Sequence, residues 1–328
     1  PVDRGTDHPA WSQTAFDNVQ AALHAGDSYE VNLTHRESAV AGAGPADTYA
    51  ALRARNPAPY AAFLQHDVEP DGPSGPATPD RAIRARGWLL AASPERYARI
   101  TSDPNGVRRI EAKPMKGTAP RGATPEEDAA LRDALTTDVK VRAENLMIVD
   151  LLRNDVSAVS RPGSVVVPEL MATETYAAVH QLVSTVVGEL LPEVSTVAAL
   201  HALFPAGSMT GAPKLRTMEV IAAVEATARG VYAGAFGWVD GAGADLGVVI
   251  RSLAGSDGRT WRAGTGGGIT VRSDVADEWA EAGWKLDRVL RAVRDTTAPD
   301  TTATDTTATG TAAAATAPAA PPAAPAPS

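Results

Sequence analysis

Apolar residues recur along the chain with two different periods. Phe16, Val19 and Leu23 share one face at helical spacing, and Gly26 is placed to end that helix. From 29 to 35 apolar and polar positions alternate, as in a strand with one covered face, and 87–93 is a short apolar run of the buried-strand kind. Thr124-Pro125-Glu126-Glu127 reads as a capping box with Pro at the first helical position, so a helix begins there. The pattern predicts a further helix over 141–155, strands at 163–168 and 182–188, and a helix over 213–226. Strands at 230–239 and 246–253 follow, then a last helix over 275–293. Strands and helices interleave unevenly, with neighbouring strand pairs late in the chain. That favours an α+β fold with antiparallel sheet over a doubly wound parallel one.

Composition narrows the picture. The 328 residues, 44% of them hydrophobic, allow one large domain or two ordinary ones. From about 297 onward the chain is almost entirely Thr, Ala and Pro. Such a segment cannot bury enough surface to offset its ordering entropy and reads as a disordered tail. One domain is expected over 1–296, with a flexible loop at 67–80. No apolar run is long enough to span a bilayer and no signal peptide opens the chain, so a soluble, cytoplasmic protein is expected. The first residue is Pro1, not Met, which reads as a processed or excised piece.

A formal charge of -9 argues against nucleic acid or an anionic membrane as partner. If the ligand is an anion, a few placed Lys or Arg residues or a metal must supply the positive charge. The absence of Cys removes disulfides, thiolate metal sites and any cysteine nucleophile, including that of a glutaminase. Any ammonia used here is free or comes from elsewhere.

Several residues carry chemistry. Lys116, framed by Pro114 and Gly117-Thr118, sits on constrained, irregular backbone, where its amine is a nucleophile if neutral and a fixed charge if not. Glu144, Ile148, Leu151 and Asp155 share one helical face, as do Glu278, Glu281 and Lys285. Either set can be a solvated helix edge. Alternatively, Glu144 and Glu281 come from two helices to share a hard cation, for which carboxylates without Cys or His favour Mg²⁺ over zinc. Two glycine-rich stretches, 207–214 and 264–269, lack the spacing of a phosphate loop or a dinucleotide fingerprint. Both can be tight turns, or turns whose bare amides cradle a carboxylate, with Thr210 and Lys214 at a helix start able to do the same.

Taken in order, eight segments between Trp11 and Leu290 resemble the chorismate-utilising enzymes, and among them the aminodeoxychorismate synthases. These are 26–34, 93–97, 114–122, 144–155, 204–214, 229–234, 250–252 and 266–285. The resemblance implies two large antiparallel sheets packed as a sandwich and surrounded by helices. It further implies that Glu144 and Glu281 bind Mg²⁺, and that Thr210, Tyr232, Arg251, Lys285 and the amides of Gly267 and Gly268 line a chorismate site. Glu95 matches the general acid/base.

In the resembling group Lys116 is the nucleophile that attacks ring carbon 2. Anthranilate and isochorismate synthases usually carry Ala there, and isochorismate synthases need a Lys where Glu30 stands. The implied product is 4-amino-4-deoxychorismate, a precursor of 4-aminobenzoate for folate or an antibiotic, formed from chorismate and ammonia. A glutamine amidotransferase subunit or fused domain would supply the ammonia. Lys116 must be neutral to attack, which requires its pKa to fall.

The alternatives are an anthranilate or 2-amino-2-deoxyisochorismate synthase, or an inactive fragment that binds chorismate or docks a partner. The chain departs from its relatives in three ways. Gln181 stands where many have His, Val275 replaces a frequent Pro, and an N-terminal stretch that usually precedes Trp11 is absent.

Overall fold

The stripe of Phe16, Val19 and Leu23 is buried on the first helix of the computed structural model, which describes residues 8–68, 85–176 and 179–297. Helix α1 (Ala10–His24) runs into a turn at Gly26, whose φ of 79° suits a residue without a Cβ. Strand β1 (Glu30–Val40), helix α2 (Pro45–Arg55) and strands β2 (Tyr60–Val68), β3 (Ala85–Ser93), β4 (Arg96–Ser102), β5 (Arg108–Lys113) and β6 (Met115–Pro120) follow. Helix α3 (Pro125–Thr137) begins at the expected cap, where Thr124 accepts from the Glu127 amide. Glu127 returns a bond to Ala123 N, one residue before the cap.

Helix α4 (Val139–Ser157) leads to β7 (Val166–Thr175), β8 (Val179–Glu189), helix α5 (Thr196–Leu203), the two-residue strand β9 (Gly211–Ala212) and helix α6 (Lys214–Val224). Strands β10 (Ala235–Val239), β11 (Ala244–Val248), β12 (Ser252–Gly255) and β13 (Thr260–Ile269) precede helix α7 (Val275–Arg294).

The strands form two antiparallel sheets. The first runs β2-β3-β12-β13-β1-β9. The second runs β10-β11-β4-β5-β8-β6, with β7 also paired to β8. Strands β5 and β6 both pair with β8, meeting residues 186–189 and 179–183 respectively, so Pro114 interrupts what is otherwise one edge. The expected α+β class with two antiparallel sheets and surrounding helices is the fold observed.

Each sheet keeps a core on its helix-covered side. Ile148, Leu152 and Val156 of α4 pack with Ile100, Ile110 and Val186 of the second sheet. Leu286, Leu290 and Val293 of α7 pack with Leu90, Leu253 and Trp261 of the first. Fully burying such an aliphatic side chain stabilises the fold by about 2 kcal/mol. A small cluster of Ala91, Phe236 and Val249 joins the facing surfaces. Elsewhere they part, leaving a space between β1 and β13 on one side and β6 and β8 on the other.

Three expected strands are corrected. Gly163, at φ 79°, closes a turn over 162–163, residues 164–165 are not strand, and the strand starts at Val166. Residues 230–233 form a turn, with Gly230 and Ala233 at positive φ, so that strand begins at Ala235. The run over 246–253 is not one strand but the end of β11 and the start of β12, in different sheets, joined across Arg251 at φ 50°. Of the loop expected at 67–80, residues 67 and 68 belong to β2; the rest of it and the Thr/Ala/Pro tail lie outside the described residues. Among the described residues no helix is long and apolar enough to cross a membrane.

Candidate active site

Lys116 is aimed by a bulge. Strand β6 loses register against β8 between Met115 and Thr118, and Gly117 at that break has φ 88°. A bulge bends the strand and re-aims a side chain. A Cβ on Gly117 would lie 2.4 Å from Val141 Cγ1, so the bend needs glycine in space as well as in φ. The amine meets Glu30 Oε1, on a side chain 1% exposed.

Glu30 and Asn32 project from the same face of β1, while Val31 and Leu33 project from the other into the cluster with Phe16 and Val19. Across from Asn32 lies Gly268 of β13, where a Cβ would meet Glu30 Oε1 at 2.1 Å and Lys116 Nζ at 3.0 Å. The 264–268 glycines are thus no turn. They lie in a strand and clear room for side chains arriving from elsewhere.

Of these residues, Asn32, Lys116, Gly117 and Gly268 border a cavity of about 710 Å³, within the range of small-molecule sites; Glu30 holds Lys116 without itself lining it. Lys116, Glu95, Glu144, Glu281, Tyr232, Arg251, Lys285, Gly267 and Gly268 all line it. Gly267 and Gly268 pair along β1 with Leu33 and Asn32, and the pairing of β13 with β12 stops at Ala263, so the ladder engages only the backbone groups that face β1.

Two expected residues do not line the cavity. Lys214 donates to Asp155 Oδ2 at 2.7 Å and Leu203 O at 2.9 Å, so its charge ties α6 to α4. The buried Thr210 turns its hydroxyl back onto Ala206 O and Gly207 O. Asn32, Lys140, Gln181, Ser208 and Arg288 line the cavity as well. Lys140 and Arg288 stand one helical turn from Glu144 and Lys285, a spacing that would have found them. Asn32 lay within the resembling segment 26–34, and strand alternation put it on the face of Glu30.

The cavity gathers five cations although the chain is acidic. Lys116, Lys140, Arg251, Lys285 and Arg288 face Glu95, Glu144, Glu278 and Glu281 there. Burial, then the Arg288 charge, lowers Arg251 to about 10, so it stays protonated at neutral pH. An anion between these guanidinium groups would relieve their repulsion.

Burial raises Glu95 to about 7 even though Ser208 donates to its Oε1 at 2.6 Å and Lys116 is near. It raises Glu144 to about 7 as well, against Lys116 and with help from Glu30. Burial pushes the Lys116 amine down, but Glu30, Glu144 and Glu95 together outweigh it, and its pKa is raised. The fall required for a neutral amine is therefore not what its surroundings produce, because carboxylates and not cations surround it.

Glu144 of α4 and Glu281 of α7 reach the cavity with Glu278. The oxygen donors suit a hard divalent cation. Among the described residues no group of three or more His, Asp or Glu is assembled at metal-binding distance. Lys140 bonds Glu278 at 3.2 Å and Lys285 bonds Glu281 at 2.6 Å, so ammonium groups neutralise the acids where a cation would. Burial raises Glu281, and the Lys285 charge outweighs it, holding the carboxyl low and ready to ligate.

Residues 2–291 match the chorismate binding enzyme family. The chain is 48% identical over 285 residues to an aminodeoxychorismate synthase of Streptomyces griseus, covering 87% of this chain and 36% of that protein. It is 39% identical over 276 residues to aminodeoxychorismate synthase component 1 of Klebsiella aerogenes, covering 84% and 56%. Among solved structures it is similar to anthranilate synthase component I of Streptococcus pneumoniae. The TM-score is 0.70 at 30% identity, over 88% of this chain and 58% of that one. The chain thus spans between about a third and just over half of these curated relatives.

Proposed function

Because the chain belongs to the chorismate-binding enzymes, we propose that it is the catalytic part of an aminodeoxychorismate synthase, aminating chorismate to 4-amino-4-deoxychorismate with ammonia. The observation that carries the reading is the bulge, which sets the Lys116 amine in one cavity with a neutral-prone acid, Glu95, and the cations Arg251 and Lys285. The names of the relatives point the same way.

The proposed steps balance as follows. Glu30, in contact with Nζ, takes the Lys116 proton on Oε1 and leaves a neutral amine. The Lys116 lone pair forms a bond to ring carbon 2, the double bonds migrate, and the bond from carbon 4 to its hydroxyl breaks. Hydroxide is a poor leaving group, so Glu95 gives its proton and water departs. Ammonia then bonds to carbon 4, the double bonds return, and the electron pair of the carbon–nitrogen bond returns to Lys116.

Arg251 and Lys285 hold substrate carboxylates. Glu144 and Glu281 would hold Mg²⁺, which when bound neutralises a substrate carboxylate and orients the ring. A primary amide at Gln181 has no proton to exchange near neutral pH, which favours keeping the enolpyruvyl group. The ammonia comes from a glutamine amidotransferase partner or fused domain, consistent with relatives named as a component 1, and the protein works in the cytoplasm. The product feeds 4-aminobenzoate formation.

The test is to incubate the chain with chorismate, Mg²⁺ and excess ammonium, with Lys116→Ala and a Mg²⁺-free sample alongside. Chromatography should show 4-amino-4-deoxychorismate without pyruvate release, lost or slowed by about a hundredfold or more in the variant. Anthranilate with pyruvate, or an unaffected variant, would refute the reading.

A further inference from the structure

Two buried oxygens beside Lys116 have no donor among the described residues. Glu30 is 1% exposed and Asn32 is 7% exposed, yet Glu30 Oε2 and Asn32 Oδ1 accept no hydrogen bond. A buried acceptor left alone costs about 1–3 kcal/mol, so native proteins seldom keep two side by side without use. They stand at i and i+2 on one strand, on one face, about 7 Å apart at the backbone. Each residue is pinned by its other polar atom. Lys116 holds Glu30 Oε1, and Asn32 Nδ2 donates to Ser208 O at 2.8 Å. The free oxygens cannot turn away to find partners without breaking those bonds.

Position says what the pair is for. Ser208 is the link between Asn32 and Glu95, since its carbonyl accepts from Asn32 and its hydroxyl donates to Glu95 Oε1. Asn32 is therefore linked through one residue, Ser208, to the acid that in the proposed reaction protonates the hydroxyl leaving carbon 4, and both line the same cavity. The incoming nitrogen must bond to that same carbon. A ligand here must be small and must donate; water and ammonia both do, and of the two only ammonia carries the nitrogen that carbon 4 receives.

We propose that Asn32 Oδ1 and Glu30 Oε2 form the ammonia site of this enzyme, each accepting one N–H and leaving the nitrogen lone pair turned toward carbon 4. Glu30 serves in either protonation state. With the Lys116 proton on Oε1, its Oε2 is a carbonyl oxygen and still accepts. When the lone pair forms the bond to carbon 4 and Lys116 leaves carbon 2, the third N–H stays on nitrogen and the product amine emerges as an ammonium group. The site rests on the amination reading and deepens it.

Asn32→Leu removes the Oδ1 acceptor at nearly constant volume, together with the Nδ2 donor to Ser208 O. The ammonium concentration giving half-maximal rate should rise about tenfold at fixed pH, the effect of one lost hydrogen bond. The Lys116 adduct formed from chorismate without ammonia, read by intact-protein mass, should keep its wild-type yield. Asn32→Gln, which keeps an acceptor oxygen and an amide able to donate to Ser208 O, should restore ammonium half-saturation to within about threefold of wild type. If Asn32→Leu forms no adduct, Asn32→Ala is read in its place by the same two measurements. Unchanged ammonium half-saturation in a variant that still forms adduct overturns the ammonia site alone. A wild-type chain that forms neither adduct nor aminated product overturns the reading beneath it and the site with it.

Discussion

Replacing Glu95 by Gln removes one ionisation and little else. The amide keeps an oxygen for Ser208 Oγ, which now donates to Glu95 Oε1 at 2.6 Å, and the side chain stays buried at 6% exposure. Burial raises the folded-state carboxyl from 4.5 to about 7. Below 4.5 the carboxyl is neutral in the folded and unfolded chains alike, and its contribution to stability is fully present. Between 4.5 and about 7 only the unfolded chain releases the proton, so stability falls as pH rises. Above about 7 both states are ionised and the loss is complete. At about 1.4 kcal/mol per pH unit the whole loss is about 3 kcal/mol.

The glutamine variant escapes it. Urea titrations of both proteins from about pH 4 to about pH 9 should show the variant gaining about 3 kcal/mol on wild type across that range, with titrations common to both cancelling. A difference that stays flat would refute the claim that this side chain is held as a neutral acid. The same variant has no proton to give the leaving hydroxyl, so its kcat should fall by about a hundredfold or more. The wild-type rate should lose its acid limb as pH rises through about 7.

Two further substitutions test roles the structure reassigned or revealed. Lys214→Met leaves the buried Asp155 without its ammonium partner and should cost about 3 kcal/mol in denaturant unfolding, while the KM for chorismate stays within about twofold because Lys214 does not line the cavity. Gly268→Ala puts a methyl group 2.1 Å from Glu30 Oε1 and 3.0 Å from Lys116 Nζ. It should lower kcat by about a hundredfold through displacement of that pair, with the far-ultraviolet circular dichroism unchanged.

Much of the framework was legible because its causes are local. The stripe on α1, the Thr124 cap of α3 and the alternation along β1 each depend on residues within a turn or two of one another. Gly117 marked irregular backbone beside Lys116, and a bulge is what the chain forms there. The misreadings share a different cause. Nothing in the apolar run around Val249 and Ile250 tells a strand to stop, because the residues on either side of Arg251 are covered equally well by two different sheets. Ala233 takes a positive φ with no glycine to announce it. Lys214 looked like a ligand at a helix start because its partner, Asp155, is 59 residues away. Likewise the Lys116 amine was expected to lose its charge, and only the tertiary structure shows Glu30, Glu144 and Glu95 around it.

The bulge at Lys116 and Gly117 makes chemistry a matter of strand bookkeeping in the smallest unit the backbone allows. Successive side chains of a strand face opposite ways, so deleting one residue at this break would restore regular pairing with β8 and turn the position after Met115 to the other face. The cavity would keep its other cations and its acids, and lose its nucleophile. Which reaction such a pocket performs can therefore change through the length of one strand, with no change in the side chains that bind the substrate.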